Sequence, residues 1–202
     1  TISAYVKSYL QESEAEAKKK IHPEWLREFF STFHKGLSIR CKNISSGDRY
    51  VITSVVVESL HYLLPPKVKL RKEIPLEDFL CSDINGAVGA LLKSKRVDFV
   101  LEGEGKCLLV EFKTNINFNN LSAAMTEMAV VKKFANARFA NSTFTSSLHL
   151  FPYRANVKGL RELNICLGSP LDFIWVLCEG PQLKFDIQAI KEFRSQVDRC
   201  LV

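Results

Sequence analysis

No apolar run in this chain approaches the roughly 18–20 residues that a membrane-spanning helix needs. The first twenty residues, TISAYVKSYLQESEAEAKKK, lack the apolar core of a signal peptide. No CxxC and no HExxH occurs, so zinc chemistry has no support. The phosphate-loop pattern G-x-x-x-x-G-K-[ST] is also lacking, and the GEGK at 103–106 is too short to replace it. There is no internal repeat and no low-complexity tract. The hydrophobic fraction of 47% and charged fraction of 25% exclude disorder as the overall state. These absences lead to the expectation of one soluble domain of 202 residues, without a membrane partner. Six cysteines stand in apolar stretches such as KCLLVEF and LDFIWVLC. That placement suits reduced, buried thiols, and hence a cytoplasmic, reducing compartment.

What the chain does have is a surplus of base: 28 Lys and Arg against 22 Asp and Glu, net +6. The surplus points towards polyanions only weakly, since many basic proteins bind none.

Residues 2–20 read as helical. Pro23 suits the first turn of a second helix through EWLREFFSTFHKG, with Gly36 as its end. Residues 1–45 therefore read as an N-terminal helical extension, and 46–202 as the main domain. A third helix is expected from a cap at Ser46 or Asp48 to about Leu64, where Pro65-Pro66 stops it. It is apolar almost all round and reads as buried. Glu58 is its only acid after Asp48 and lies between Val55 and Tyr62. A lone carboxylate on an apolar stripe needs a partner, either a base or backbone amide, or a metal and its water. KVKLRKEI, 67–74, alternates as a strand with a basic face of Lys67, Lys69 and Arg71. Residues 75–95 read as a loop with a short helix.

RVDFVLEGEGKCLLVEFKT, 96–114, carries two strand patterns around a turn at Glu104-Gly105. Closed by a two-residue turn, the hairpin pairs Val97 with Phe112, Phe99 with Val110 and Leu101 with Leu108, all on one apolar face. The other face sets Asp98 across from Glu111, with Lys113 beside it. Opposed Cβ atoms lie about 4.5–5.5 Å apart, and like charges there repel. Protonation, basic neighbours or a divalent cation can relieve the repulsion. Magnesium fits such a place because it takes one or two carboxylates with water and phosphate oxygens. Ordinary surface ion pairs are the competing reading. A helix follows from Leu121 to Ala140 with a stripe of Leu121, Met125, Met128, Val131 and Ala135, and it carries Lys132, Lys133 and Arg138. Strand candidates follow at 147–153 and 171–179, and a last helix starts near Asp186.

Asp98 in RVDFVL and Glu111-Phe112-Lys113 in LLVEFKT, set on a hairpin between two helices, resemble the PD-(D/E)XK nuclease superfamily. The resemblance spans roughly residues 46–180 and departs from the motif at Val97, where many members carry proline. It implies an α/β fold with a restriction-endonuclease-like αβββαβ core, a central mixed sheet flanked by helices. It implies a nuclease hydrolysing phosphodiester bonds, DNA ahead of RNA, by in-line attack of a Mg²⁺-activated water, with Mn²⁺ as a substitute. In that family pattern Asp98, Glu111 and the Phe112 carbonyl would hold the metal. Lys113 would orient water and stabilise the transition state, and Glu58 would complete the site directly or through water. Lys67, Lys69, Arg71, Lys132, Lys133 and Arg138 would meet phosphates. A homodimer belongs to the expectation, because cutting two strands often uses one. Two further readings stand beside it. One is a catalytically inactive nucleic-acid-binding or protein-interaction domain on the same fold. The other is an unrelated α/β domain in which the motif is a coincidence.

Overall fold

The computed structural model describes residues 2–40, 49–81, 87–92, 94–113, 118–136, 139, 141–149, 157–179 and 184–202. In chain order they form α1 (Ile2–Ala17), α2 (Glu24–Arg40), α3 (Arg49–Leu63), β1 (Lys69–Pro75), a 3-10 turn (Leu76–Phe79), α4 (Ala87–Leu92), β2 (Arg96–Gly103) and β3 (Lys106–Lys113). There follow α5 (Phe118–Phe134), β4 (Thr143–His149), α6 (Val157–Cys166), β5 (Phe173–Val176), β6 (Cys178–Glu179), β7 (Lys184–Phe185) and α7 (Ile187–Leu201). The chain is α/β: a five-stranded mixed sheet, in the order β1-β2-β3-β4-β5, flanked by helices. β1, β2 and β3 are antiparallel neighbours, whereas β3, β4 and β5 run parallel. Parallel neighbours need a crossover, and α5 and α6 supply the two. Each later strand candidate therefore contributes to the sheet, through 147–149 in β4 and 173–176 in β5; 150–153 lie outside the described residues, Cys178–Glu179 pairs with β7 in a separate two-stranded sheet, and α6 is a helix that the sequence pattern did not announce.

The β2–β3 register matches the hairpin arithmetic: Phe99 faces Val110, Leu101 faces Leu108 and Glu102 faces Cys107. Two apolar layers cover the sheet. Phe99, Leu101, Leu108, Val110 and Phe112 pack with α2, α3 and α7. Val100, Cys107 and Leu109 pack on the other face with Met125, Met128 and Val131 of α5. Val97 departs from expectation. It joins Ile74, Val100 and Leu109 in the second layer instead of sharing the Phe99 face. The cause lies in the neighbouring ladder, which pairs Lys72 with Phe99 and Ile74 with Val97 but omits the step between, Glu73 and Asp98. Glu73 is in the left-handed region (φ 54°), which rotates the backbone there.

The helical pair expected as an extension shares the main core. Leu26, Phe29, Phe30, Phe33 and Leu37 of α2 lie in the same cluster as Phe99 and Phe193. Phe29, Phe30 and Phe33 surround Phe185 edge-on, with ring centroids 6.0, 5.0 and 5.5 Å away. Arg194 of α7 ties these layers together. It stacks over Trp25 at 4.9 Å and donates to the Leu63 and Leu64 carbonyls at 2.8 Å, serving the end of α3 where helical acceptors run out. Gly36 does not end α2, which continues to Arg40. A Cβ at Gly36 would come within 2.7 Å of Val55, so the residue serves the close α2–α3 approach. The caps expected at Ser46 and Asp48 lie outside the described residues. Asp186 caps α7 as expected, accepting the Ala189 N–H at 2.9 Å. Among the described residues, no helix is long and apolar enough to cross a membrane.

Gly103 sits where the hairpin meets the last turn of α7. A Cβ there would stand 2.4 Å from the Leu201 carbonyl oxygen, which is backbone and cannot swing aside. Gly103→Ala is expected to cost roughly 1–3 kcal/mol and lower the denaturation midpoint. Gly105 (φ 78°) has no atom within 4 Å of an added Cβ. Gly105→Asn, which tolerates the left-handed region, is expected to cost well under about 1 kcal/mol. Equal losses in urea titrations would count against the packing argument.

Candidate active site

Asp98 and Glu111 come together at the end of the hairpin away from its turn. The β2–β3 ladder runs only as far as Phe99 and Val110. Beyond it the Asp98 carboxylate replaces a backbone acceptor, taking the Phe112 N–H on Oδ2 at 2.7 Å. Asp98 is thus excused from the regular ladder on both sides, and its side chain lies across the strands. Lys113 joins the two acids, with Nζ 2.7 Å from Glu111 Oε2 and 3.9 Å from Asp98 Oδ2. A register placing the acids on opposite faces would not allow one ammonium to reach both.

Glu111 is 3% exposed. Oε2 accepts from Lys113, while Oε1 is buried with no hydrogen-bond partner among the described residues. Burial pushes the Glu111 carboxyl up, Lys113 pulls it down, and Asp98 and Glu127 push it up again, leaving it at about 7. Burial also works against the Lys113 ammonium, but Glu111 and Asp98 outweigh it and hold Lys113 above its ordinary value. Lys113 is therefore a fixed cation at neutral pH and cannot serve as a base.

Three further groups belong to this neighbourhood, and the sequence reading passed over them. Glu127 of α5 acts electrostatically on both Glu111 and Lys113 and bonds Lys95 at 2.8 Å. Ser147 and His149 of β4 lie beside Glu111 and Lys113 in the parallel ladder, fully buried, with His149 Nε2 3.1 Å from Ser147 Oγ. Glu127 carried a readable signal, being the only acid in α5 and adjacent to the buried Met128. Ser147 and His149 carried only polarity on a strand whose alternate residue, Leu148, is buried.

Glu58 is placed differently from the expectation. The α3 stripe that buries is Val55, Val56, Val57, Leu60 and Leu63, whereas Glu58 is half-exposed and pairs with Arg40 at 2.7 Å. Its helix packs in the layer holding Phe99 and Phe112, and Glu58 is not among the groups that shift Glu111. Its partner is thus the basic side chain that the sequence left open as one choice.

The basic residues are scattered. Lys67 pairs with Glu104 at 3.5 Å and Arg71 with Glu102 at 3.0 Å, beside the hairpin turn. With Lys69 and Lys106 they line an open cavity of about 730 Å³. Lys132 is held by Asp172 at 2.6 Å and the Ser169 carbonyl at 3.1 Å, and Lys133 lies 5.5 Å from the Phe134 ring centre. Arg138 lies outside the described residues.

The oxygen set suits a hard divalent cation: Asp98, Glu111 with an unsatisfied oxygen, and the nearby Phe112 carbonyl. No cluster of three or more His, Cys, Asp or Glu with metal-site geometry occurs among the described residues. Magnesium bound by one or two carboxylates with water and phosphate needs none.

The raised Glu111 carboxyl gives a pH signature. Folded, it keeps its proton to about pH 7, while its ordinary value is 4.5. Stability from this group is full below pH 4.5 and is lost as pH rises through 7, an effect on the order of 3 kcal/mol. Glu111→Gln cannot ionise and escapes the loss. In EDTA, the melting temperature of the variant minus that of the parent is expected to grow between pH 5 and 8. A flat difference would contradict the assignment. Comparison of the whole chain with protein-family models, characterised proteins and solved structures yields no match.

Proposed function

We propose that this chain is a metal-dependent nuclease that hydrolyses phosphodiester bonds, of DNA in the first place, on a restriction-endonuclease-like core. One observation carries the reading: a buried carboxylate with an unsatisfied oxygen shares a lysine with a second carboxylate. With the 3-10 turn and α4 inserted between β1 and β2, the order α3, β1, β2, β3, α5, β4 is compatible with the αβββαβ sequence of that core.

Asp98 and Glu111, with the Phe112 carbonyl, are the residues that would hold Mg²⁺ or Mn²⁺. The ion would supply charge neutralisation and an activated water. Asp98 is oriented for this by the Phe112 N–H, which fixes its Oδ2. Lys113, held protonated by both acids, donates to negative charge that grows on the phosphoryl oxygens. Ser147 and His149 support the floor beside it. Glu58, committed to Arg40, has no part in this mechanism. Cleavage of both strands would suit a homodimer; of the described cysteines Cys107 is buried as expected, whereas Cys81 and Cys166 are exposed, and free thiols of this kind suit a reducing cytoplasm.

A second reading has its own observation. Lys113 already neutralises Glu111, an arrangement that is stable with no metal and would suit an inactive nucleic-acid-binding or protein-interaction domain on the same fold.

Plasmid, single-stranded DNA and RNA incubated with Mg²⁺, Mn²⁺ or EDTA separate the two. The nuclease reading expects cleavage with either metal and none in EDTA. Asp98→Ala and Lys113→Ala should each lower the rate by about 10²–10³ or more. Cleavage that survives either substitution would sink the proposed site. Metal-dependent cleavage of none of the three substrates would favour the second reading.

A further inference from the structure

Lys95 stands at the entry to β2, three residues before Asp98. Its backbone is fixed at both ends: its N–H donates to the Leu92 carbonyl and its carbonyl accepts from the Leu76 N–H, each at 2.9 Å. Its ammonium bonds Glu127 at 2.8 Å, and the side chains are 52% and 17% exposed. Glu127 adjoins Met128, which packs with Val100 and Leu109 on the sheet face covered by α5. Glu111 and Lys113 both act electrostatically on Lys95, so it stands close to the carboxylate pair. Of the basic side chains first expected to meet phosphate, two lie along the β1 side of the hairpin. Lys67 is paired with Glu104 at the hairpin turn, whereas Arg71, whose Cα lies opposite Val100, is paired with Glu102. Six strand residues at about 3.3 Å each put that turn about 20 Å from Asp98, beyond a Debye length of about 8 Å.

We infer that Lys95 is a phosphate-binding arm of the site, which exchanges Glu127 for a backbone phosphate next to the scissile one. The inference rests on the nuclease reading and narrows its substrate to a polyanion carrying phosphates on either side of the reacting group. The exchange is favourable on general grounds. A partly exposed ion pair contributes only about 0–1 kcal/mol. A phosphate contact on nucleic acid also releases condensed counterions. The Glu127 carboxylate freed by the exchange stays beside Glu111, where added negative charge favours a bound cation.

The test is equilibrium binding of the full chain to a fluorescein-labelled duplex and single strand in EDTA, by anisotropy, between about 50 and 200 mM salt. Lys95→Gln is expected to weaken binding about 3–10-fold. It should also flatten the plot of log K against log salt by about 0.9 for duplex or 0.7 for single strand, one phosphate's share. Lys95→Arg should keep the slope. Glu127→Gln should tighten binding, and the double variant should behave as Lys95→Gln alone. An unchanged slope in Lys95→Gln, or weaker binding in Glu127→Gln, overturns the inference. The nuclease reading fails separately: parent protein that binds with the Lys95-dependent slope yet cleaves nothing with Mg²⁺ or Mn²⁺ refutes catalysis and keeps the arm. Parent protein that binds neither probe overturns the arm.

Discussion

A carboxylate in the middle strand of an apolar sheet sets the terms for everything around it. Glu111 has Val110 and Phe112 as neighbours in β3, both buried, and is itself 3% exposed. Taking such a charge out of water costs several kcal/mol unless partners replace the water. Among the described residues, only Lys113, two residues on and on the same side of the pleat, reaches it with a hydrogen bond. Asp98 competes for the same ammonium, so one lysine serves two acids and Glu111 keeps its proton nearly to neutrality. The backbone bears the mark of this crowding. The ladder step between Glu73 and Asp98 is not made, Glu73 turns left-handed, and Arg96 donates to the Glu73 carbonyl at 2.7 Å. Val97 emerges on the other face as a result.

The helices hold the strained strand ends in place by ties that are themselves polar. Arg194 anchors α7 to the end of α3 and to Trp25 of α2. On the other face, Asp172 accepts from the Thr145 N–H at 2.8 Å and from Lys132 at 2.6 Å. That bond fixes the last turn of α5 against the β4–β5 end of the sheet. Lys132 thereby serves as a strut between α5 and the segment before β5. By fixing α5 it also fixes Glu127, which carries the electrostatics of the sheet face out to Lys95. Two lysines with the same chemistry, 132 and 95, differ in setting: one closes a tertiary junction and the other pairs with Glu127 near the carboxylate pair.

Period and turn chemistry made the hairpin legible. Alternation fixed which β2 and β3 residues share a face, and the two-residue turn fixed the register, so the meeting of Asp98, Glu111 and Lys113 could be read from the chain. The helix α5 followed from the stripe of Met125, Met128 and Val131, whereas its role as a crossover between parallel strands did not. Val97 was not legible, because a missed ladder step depends on crowding between three strands. Glu58 shows where a sound rule reached the wrong helix. A lone acid on an apolar helix does call for a partner, but α3 turns its valines inward and Glu58 outward to Arg40. The same rule applied to α5 selects Glu127, which does face the site. Helical periodicity alone could not choose between them, since α3 is apolar nearly all round. Ser147 and His149 enter the neighbourhood through parallel pairing with β3, a long-range register that no local pattern encodes.

The net charge of +6 has less to do with the site than the balance within it. Most of the basic side chains named here are already paired: Lys67 with Glu104, Arg71 with Glu102, Arg40 with Glu58 and Lys132 with Asp172. Around Glu111, two lysines face three carboxylates, so the cluster carries one net negative charge when all are ionised and none when Glu111 keeps its proton. A polyanion approaching the ionised cluster meets repulsion that the distant surplus, screened over about 8 Å, does little to offset. Under the proposed function, a divalent cation would displace the Glu111 proton and turn the balance positive. The buried carboxyl would thereby link the two events, since the site would repel phosphate least when it held either a proton or a metal. Of these two states, only the metal-loaded one would leave both acids ionised.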